Sequence, residues 1–198
     1  DVDGDIGEKS NIAISMLKDK LFKIITSNGY SDIGNQIIGI RMSDIYTNEF
    51  TDWGCIILNG ELIGFPISTK PGKYWLSQHG EDHKGCACLV EGQYRGLWQF
   101  NEVYNGWTGD PYCQQINQCT IYREMGEDFI NRNSPKETGL FGINFHTWAN
   151  FNIITVDNLS AGCQVMDESV EKEIIPYLEK FDNPPITYTL LHIFDFKY

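Results

Sequence analysis

The sequence predicts a mainly β domain with a few helices, preceded by one N-terminal helix. Three observations carry that prediction. From Ile37 onward, short apolar runs are separated by turn residues, the texture of strands. Asn59-Gly60 lies between two such runs, and both residues tolerate the positive φ of a tight hairpin turn. Helical spacing of apolar residues is confined to residues 8–28 and 167–182.

The elements follow in order. In residues 8–28, Ile12, Ile14, Leu17, Leu21, Ile24 and Ile25 recur at near-helical spacing. Ser10 or Asn11 offers a cap, and Asn28-Gly29 a stop. Strands are expected at Ile37–Arg41, Gly54–Leu58, Glu61–Ile67, Tyr74–Ser77 and Gly85–Leu89. Further strands are expected at Gly96–Phe100, Cys119–Tyr122, Gly142–His146 and Gln164–Met166. Over 167–182, Val170, Ile174, Ile175, Leu178 and Phe181 form the apolar face of a second helix, which Pro176 bends or shortens. Asn183-Pro184-Pro185 ends it, and Ile186–Phe196 supplies a final strand or two. Segments 104–118 and 124–138 read as long loops, either binding surfaces or plain surface.

Composition narrows the function. A chain of 198 residues suits one domain, or one domain with a short appendage. With 41% hydrophobic and 13% aromatic residues it can bury a sizeable core. The net charge of −12, with 15 scattered basic residues, argues against nucleic acid, because phosphate binding needs clustered Lys and Arg. Apolar runs such as Gly54 to Leu58 are too short for membrane insertion. No signal peptide is visible, but a chain opening at Asp1 leaves room for an upstream segment, so nothing about export follows.

The six cysteines, at 55, 86, 88, 113, 119 and 163, are too irregularly spaced for a disulfide scaffold. Cys113 and Cys119 could bridge a loop, and most others read as small buried side chains. His79, His83, Cys86 and Cys88 are metal-compatible types. All four fall within ten residues, however, and Cys86-Ala87-Cys88-Leu89 reads more naturally as a strand with both sulfurs on one face. Asp1, Asp3 and Asp5 fail as a calcium loop, because Gly4 is misplaced and Ile12 stands where a ligand is needed. No metal and no cofactor are expected.

One pair of segments carries chemistry. Gly142-Ile143-Asn144-Phe145-His146 delivers a histidine at a strand end, and seventeen residues later Cys163 follows the small tripeptide Ser160-Ala161-Gly162. A thiol with a pKa near 8.5 needs help at neutral pH, and a histidine in reach serves as base and then as acid. Glycine beside the nucleophile would let the Gly162 and Cys163 amides face a developing oxyanion. Thr147 could hold the imidazole in one tautomer through its carbonyl or hydroxyl. Against this stands the plainer reading of one structural Cys and one structural His. His192, in the last strand, reads as structural.

The wider context resembles the L,D-transpeptidase catalytic domain, whose signature sets a histidine before a loop ending in Ser/Thr-His-Gly-Cys. Here His146 is followed by thirteen residues and then Ser160-Ala161-Gly162-Cys163. Ser68-Thr69-Lys70-Pro71-Gly72-Lys73-Tyr74-Trp75-Leu76 looks like the family's upstream Thr-Pro-x-Gly-x-Tyr/Phe element. Gly92 to Gln99, Thr138 to His146 and Ser160 to Val165 look like a phage and bacterial branch of that superfamily. The resemblance covers about residues 35–195. Ala161 departs from it by replacing a second histidine, and Gln164-Val165 by replacing a hydrophobic-Arg pair. More faintly, Val2 to Ser10 with Ala13-Ile14 resembles the end of a peptidoglycan-binding repeat. An amphipathic helix with a polar start accounts for it equally well.

The resemblance implies an L,D-transpeptidase-like β-sandwich or barrel over 35–198, with 1–34 a helical remnant of that repeat. It implies a Cys163 acyl-enzyme with His146 as base, Gly162 and Thr147 assisting, and peptidoglycan stem peptides as partners. Ser160, Tyr94, Arg95 and Trp148 are then expected at the substrate, Arg95 as partner of a stem carboxylate. Arg95 as a solvated edge residue and Trp98 as core are the equal alternative. Trp148, Phe151 and Ile153, between His and Cys, would pack as core or shield the thiolate. The phage-like flavour implies a lysin or a virion-associated wall-degrading enzyme, made in the bacterial cytoplasm and acting at the cell envelope or from the virion. Other virion proteins are then partners too. Two rivals remain: a non-catalytic virion or cell-surface module that kept the fold, and a cysteine amidase or acyltransferase with a non-wall substrate.

Overall fold

The computed structural model describes residues 3–31, 34–78, 84–102, 111–126, 128–147, 155–181 and 185–196, with side chains from residue 15 onward. The expected N-terminal helix is α1 (Asp3–Ser27). Strands β1 (Gln36–Arg41), β2 (Asp52–Leu58) and β3 (Glu61–Ser68) follow, the last two joined through Asn59-Gly60. Next come α2 (Lys73–Ser77), β4 (Cys86–Leu89), β5 (Gly92–Asn101), β6 (Tyr112–Gln115), β7 (Cys119–Glu124) and β8 (Lys136–Gly139). The chain ends with β9 (Phe145–His146), β10 (Gln164–Met166), α3 (Glu171–Leu178) and β11 (Ile186–His192). Short 3-10 turns span Asp157–Leu159, Glu168–Val170 and Ile193–Phe196.

Eight strands close a barrel in the order β1-β11-β5-β6-β9-β10-β3-β2, and β4-β7-β8 form a separate three-stranded sheet. The fold is mainly β, as the sequence predicts. Most barrel neighbours are antiparallel, but β1 pairs β11 in parallel and β9 pairs β10 in parallel. The second parallel pair brings the two candidate catalytic segments side by side.

Period-two alternation explains why β1 is buried along its whole length. Ile37, Ile56, Phe65, Ile67 and Leu190 belong to the main core, where Trp98 stacks on Phe145 at 5.5 Å and packs on Tyr188 at 4.4 Å. Ile38, Ile40, Cys55, Ile57 and Leu191 belong to a second core with Leu21, Ile24 and Ile25 of α1. The C-terminal half of α1 thus covers β1, β2 and β11, and shares its core with the barrel. Leu17, expected on that apolar face, is exposed. A third cluster joins Cys86, Cys88 and Tyr122 of the small sheet to Tyr46, Leu76 and Ile130.

Four local expectations are corrected. Tyr74–Ser77 is helical, not a strand. The Leu76 amide bonds the Gly72 carbonyl, and Trp75 Nε1 donates to the Asn158 carbonyl at 2.9 Å, so tertiary contacts outweigh the β propensity of Tyr-Trp. Segment 104–118 is not loop throughout, since it contains β6, and 124–138 contains most of β8. β8 is a largely exposed edge strand without apolar alternation, so its sequence carries no strand signal. Finally, the strand expected at Gly142–His146 shrinks to Phe145–His146, because Gly142 has φ +71° and bends the chain out of the sheet.

Cys113 and Cys119 do not bridge, and both are buried, as are Cys55, Cys86 and Cys88. Cys86 and Cys88 lie on β4, whereas His79 and His83 fall outside the described residues. Asn183 and Pro184 also fall outside them.

Candidate functional site

His146 ends β9, and Cys163 immediately precedes β10. The register sets Gln164 opposite Phe145 and Val165 opposite His146. Phe145 stacks on Trp98, and Gln164 Oε1 accepts a bond from Tyr188 Oη at 2.8 Å, so both point into the barrel. Alternation then turns His146 and Cys163 to the opposite face, where each is partly exposed. With strands about 4.8 Å apart and two residues of offset, their Cα atoms stand about 8 Å apart, a diagonal that side chains can bridge.

His146 Nδ1 lies 3.1 Å from the Thr147 carbonyl oxygen. A carbonyl can only accept, so Nδ1 carries the hydrogen and a neutral ring keeps its acceptor pair on Nε2. Of the two Thr147 groups proposed to hold the ring, the structure uses the carbonyl. The Thr147 hydroxyl is buried with no hydrogen-bond partner among the described residues.

The loop before Cys163 is held from four directions. Ser160 Oγ donates to the Cys163 carbonyl at 2.8 Å and accepts from the Gly162 amide at 3.0 Å. The Ser160 carbonyl accepts from the Gly72 amide at 2.8 Å, and the Ala161 carbonyl from the Ala87 amide at 3.1 Å. Beyond the cysteine, the Gln164 amide donates to the Asn144 carbonyl at 2.8 Å. The thiol itself donates to the Gly142 carbonyl at 3.3 Å.

These contacts correct two expected roles. The Gly162 amide is committed to Ser160 Oγ and does not face an oxyanion. Glycine is required there by close approach: at φ +153°, a β-carbon would meet the Ala87 carbonyl oxygen at 2.2 Å. Ser160 has no exposed surface, and its hydroxyl is bonded within the loop, so it shapes the loop and does not reach substrate.

Tyr94 and Arg95 are also relocated. Tyr94 Oη lies 2.6 Å from the Val90 carbonyl and 3.2 Å from that of Thr120, between barrel and small sheet. Arg95 bonds Ser31 just after α1. Its strand reaches the site at its other end, where Asn101 pairs with Tyr112 and Tyr112 with His146. Asn101 lies six residues along the strand from Arg95, roughly 20 Å. Trp98 is core, fully buried, with Nε1 donating to the Ile143 carbonyl at 2.7 Å. Trp148, Phe151 and Ile153 lie outside the described residues.

Sequence reasoning missed two supports of the site. Gln115, on β6, holds the 139–143 segment: its Oε1 accepts from the Phe141 and Ile143 amides at 3.1 and 2.8 Å. Its Nε2 donates to the Asn117 and Gly139 carbonyls at 2.8 and 3.2 Å. Arg41, at 0% exposure, bonds Thr69 Oγ1, the Thr69 carbonyl, the Leu89 carbonyl and Glu91 Oε1. Thr69 and Leu89 stand a few residues from Gly72 and Ala87, which grip the Cys163 loop. A buried arginine needs many acceptors, but nothing in the local sequence reveals which ones close around it.

Burial pushes the Cys55 and Cys88 thiols up to about 11 and Cys119 to about 12, and pushes Cys113 up as well. Cys163 is the partly exposed cysteine. Among the described residues, no cluster of His, Cys, Asp and Glu could hold a metal ion. No helix among them is long and apolar enough to cross a membrane. No protein-family model matches this chain, and no curated protein matches it.

Proposed function

We propose that this chain is a cysteine acyl-transfer enzyme acting on peptidoglycan stem peptides, with Cys163 as nucleophile and His146 as acid and base. The observation that carries the reading is the parallel pairing of β9 and β10. It sets His146 and Cys163 on one face, with Nδ1 tied to the Thr147 carbonyl, which puts the acceptor lone pair of the neutral ring on Nε2. The thiol proton passes to Nε2 as Sγ bonds the peptide carbonyl carbon. As the C–N bond breaks, the imidazolium returns that proton to the leaving amine. Water or a second amine then attacks the thioester and gives its proton to His146. As the C–S bond breaks, the imidazolium returns that proton to the leaving Cys163 sulfur, which restores the thiol. The oxyanion is assigned to the Cys163 amide and not to Gly162. No cofactor enters the scheme.

The substrate class rests on the resemblance to L,D-transpeptidases in Thr138–His146 and Ser160–Val165. The phage-like form of those motifs favours hydrolysis, by a lysin or virion-associated enzyme working at the bacterial envelope. Incubation with purified muropeptides, read by mass spectrometry, tests the reading. Products cut or joined at a stem-peptide bond support it. Unchanged muropeptides would favour the non-catalytic surface module.

A further inference from the structure

The Cys163 thiol donates to the Gly142 carbonyl at 3.3 Å, and that carbonyl has an identifiable support. Gly142 sits between Phe141 and Ile143, whose amides both point at Gln115 Oε1. Gln115 is 8% exposed, and its Nε2 secures the start of the same arch through the Gly139 carbonyl. The end is secured twice: Ile143 by Trp98 Nε1, and Asn144 by its Oδ1, which accepts from the Gln115 amide at 2.9 Å. The φ of +71° at Gly142 turns the chain between these anchors.

We propose that Gln115 is a positioning residue for Cys163, fixing the arch so that the Gly142 carbonyl holds the resting thiol in its protonated form. This rests on the reading of Cys163 as nucleophile. A hydrogen bond donated by the neutral thiol favours the thiol over the thiolate. Reaction requires that bond to break as the proton moves to His146 on the neighbouring strand. The arrangement restrains the thiolate until a substrate enters. The charged and titratable groups near the arch, among the described residues, include His146 on β9, Arg123 and Cys119 on β7 and Cys113 on β6; the Cys119 thiol accepts from Gln115 Nε2 at 3.3 Å. Arg123 lies 5.3 Å from the Phe141 ring and pairs with Glu137 of β8 at 3.1 Å.

Iodoacetamide alkylation across pH, with each cysteine followed by peptide mass spectrometry, tests the proposal in the whole chain. Two variants are used. Gln115→Met removes the side-chain anchors. Gly142→Ala adds a β-carbon that meets nothing within 4 Å but disfavours the turn. Both should alkylate Cys163 about threefold to tenfold faster at neutral pH, as expected for one lost hydrogen bond. The profile should move to lower pH while the other five cysteines stay protected. A purely structural role would expose all six together; if Gln115→Met does so, Gly142→Ala decides. A Cys163 profile unmoved in a folded variant overturns the proposal. Failure of the enzymatic reading is seen separately, as absence of muropeptide turnover by the unaltered chain.

Discussion

The Ala87 carbonyl oxygen stands 2.2 Å from where a β-carbon on Gly162 would lie. The nucleophile loop is thus seated on β4 by main-chain contact, reinforced by the bond from the Ala87 amide to the Ala161 carbonyl. The nearest obstacles are the Ala87 carbonyl oxygen and carbon, backbone atoms that cannot swing aside as the Ile143 side chain at 3.0 Å could. Gly162→Ala should therefore lower unfolding stability by about 1–3 kcal/mol, measured by urea denaturation, and should change the alkylation rate of Cys163. An alanine variant as stable as the parent would contradict this packing.

Arg41 makes the second prediction. Its removal would strand the Thr69 and Leu89 carbonyls and leave Glu91 without its buried cation, which it meets at 2.8 Å. Arg41→Met should cost about 3–5 kcal/mol. Arg41→Lys should recover only part, because an ammonium cannot present the planar fork that reaches Thr69, Leu89 and Glu91 together. Full recovery by lysine would show that charge alone matters.

A third prediction concerns acid. Burial pushes the Asp44 carboxyl up, but the hydrogen bond and charge of Arg132, aided by His192 and Arg41, hold it below its usual value. Glu91 is likewise held down, Arg41 and Arg132 outweighing its burial. Burial, with the charge of Arg132, depresses His192 from 6.5 against the pull of Asp44. The Phe194 amide also donates to His192 Nδ1, a bond that protonation would break. Depressed carboxyls stabilise the fold above their unfolded pKa, and that stability is lost as pH falls through the folded one. A depressed histidine adds a loss that begins as pH falls below its unfolded value. Both act in one direction. The urea midpoint should fall in two stages, the first beginning near pH 6.5 and absent in His192→Gln. A midpoint constant from pH 7 to 5, or rising, would contradict it.

The barrel was legible where strands alternate or run fully apolar, as in Gln36–Arg41, Asp52–Ser68 and Gln164–Met166. It was illegible where a strand carries no apolar alternation and its cross-strand side-chain contacts are polar, as in Lys136–Gly139. Cys163 and His146 were singled out because their residue types and spacing imply chemistry, and the parallel pairing of β9 and β10 brings their segments together. Arg95 was misplaced because a cation near a motif in sequence need not be near it in space; its strand meets the site at the opposite end. Gln115 and Arg41 act through carbonyls and amides of distant segments, which only the closed fold brings together.

The central claim is a covalent intermediate on Cys163, and peptide mapping of acid-quenched reactions tests it directly. The unaltered chain, quenched during incubation with muropeptides, should carry an acyl adduct on the peptide containing Cys163. Cys163→Ala should keep its fold, since only a sulfur is lost, and should show neither adduct nor turnover. Turnover that persists in Cys163→Ala, or an adduct on another residue, would contradict the account.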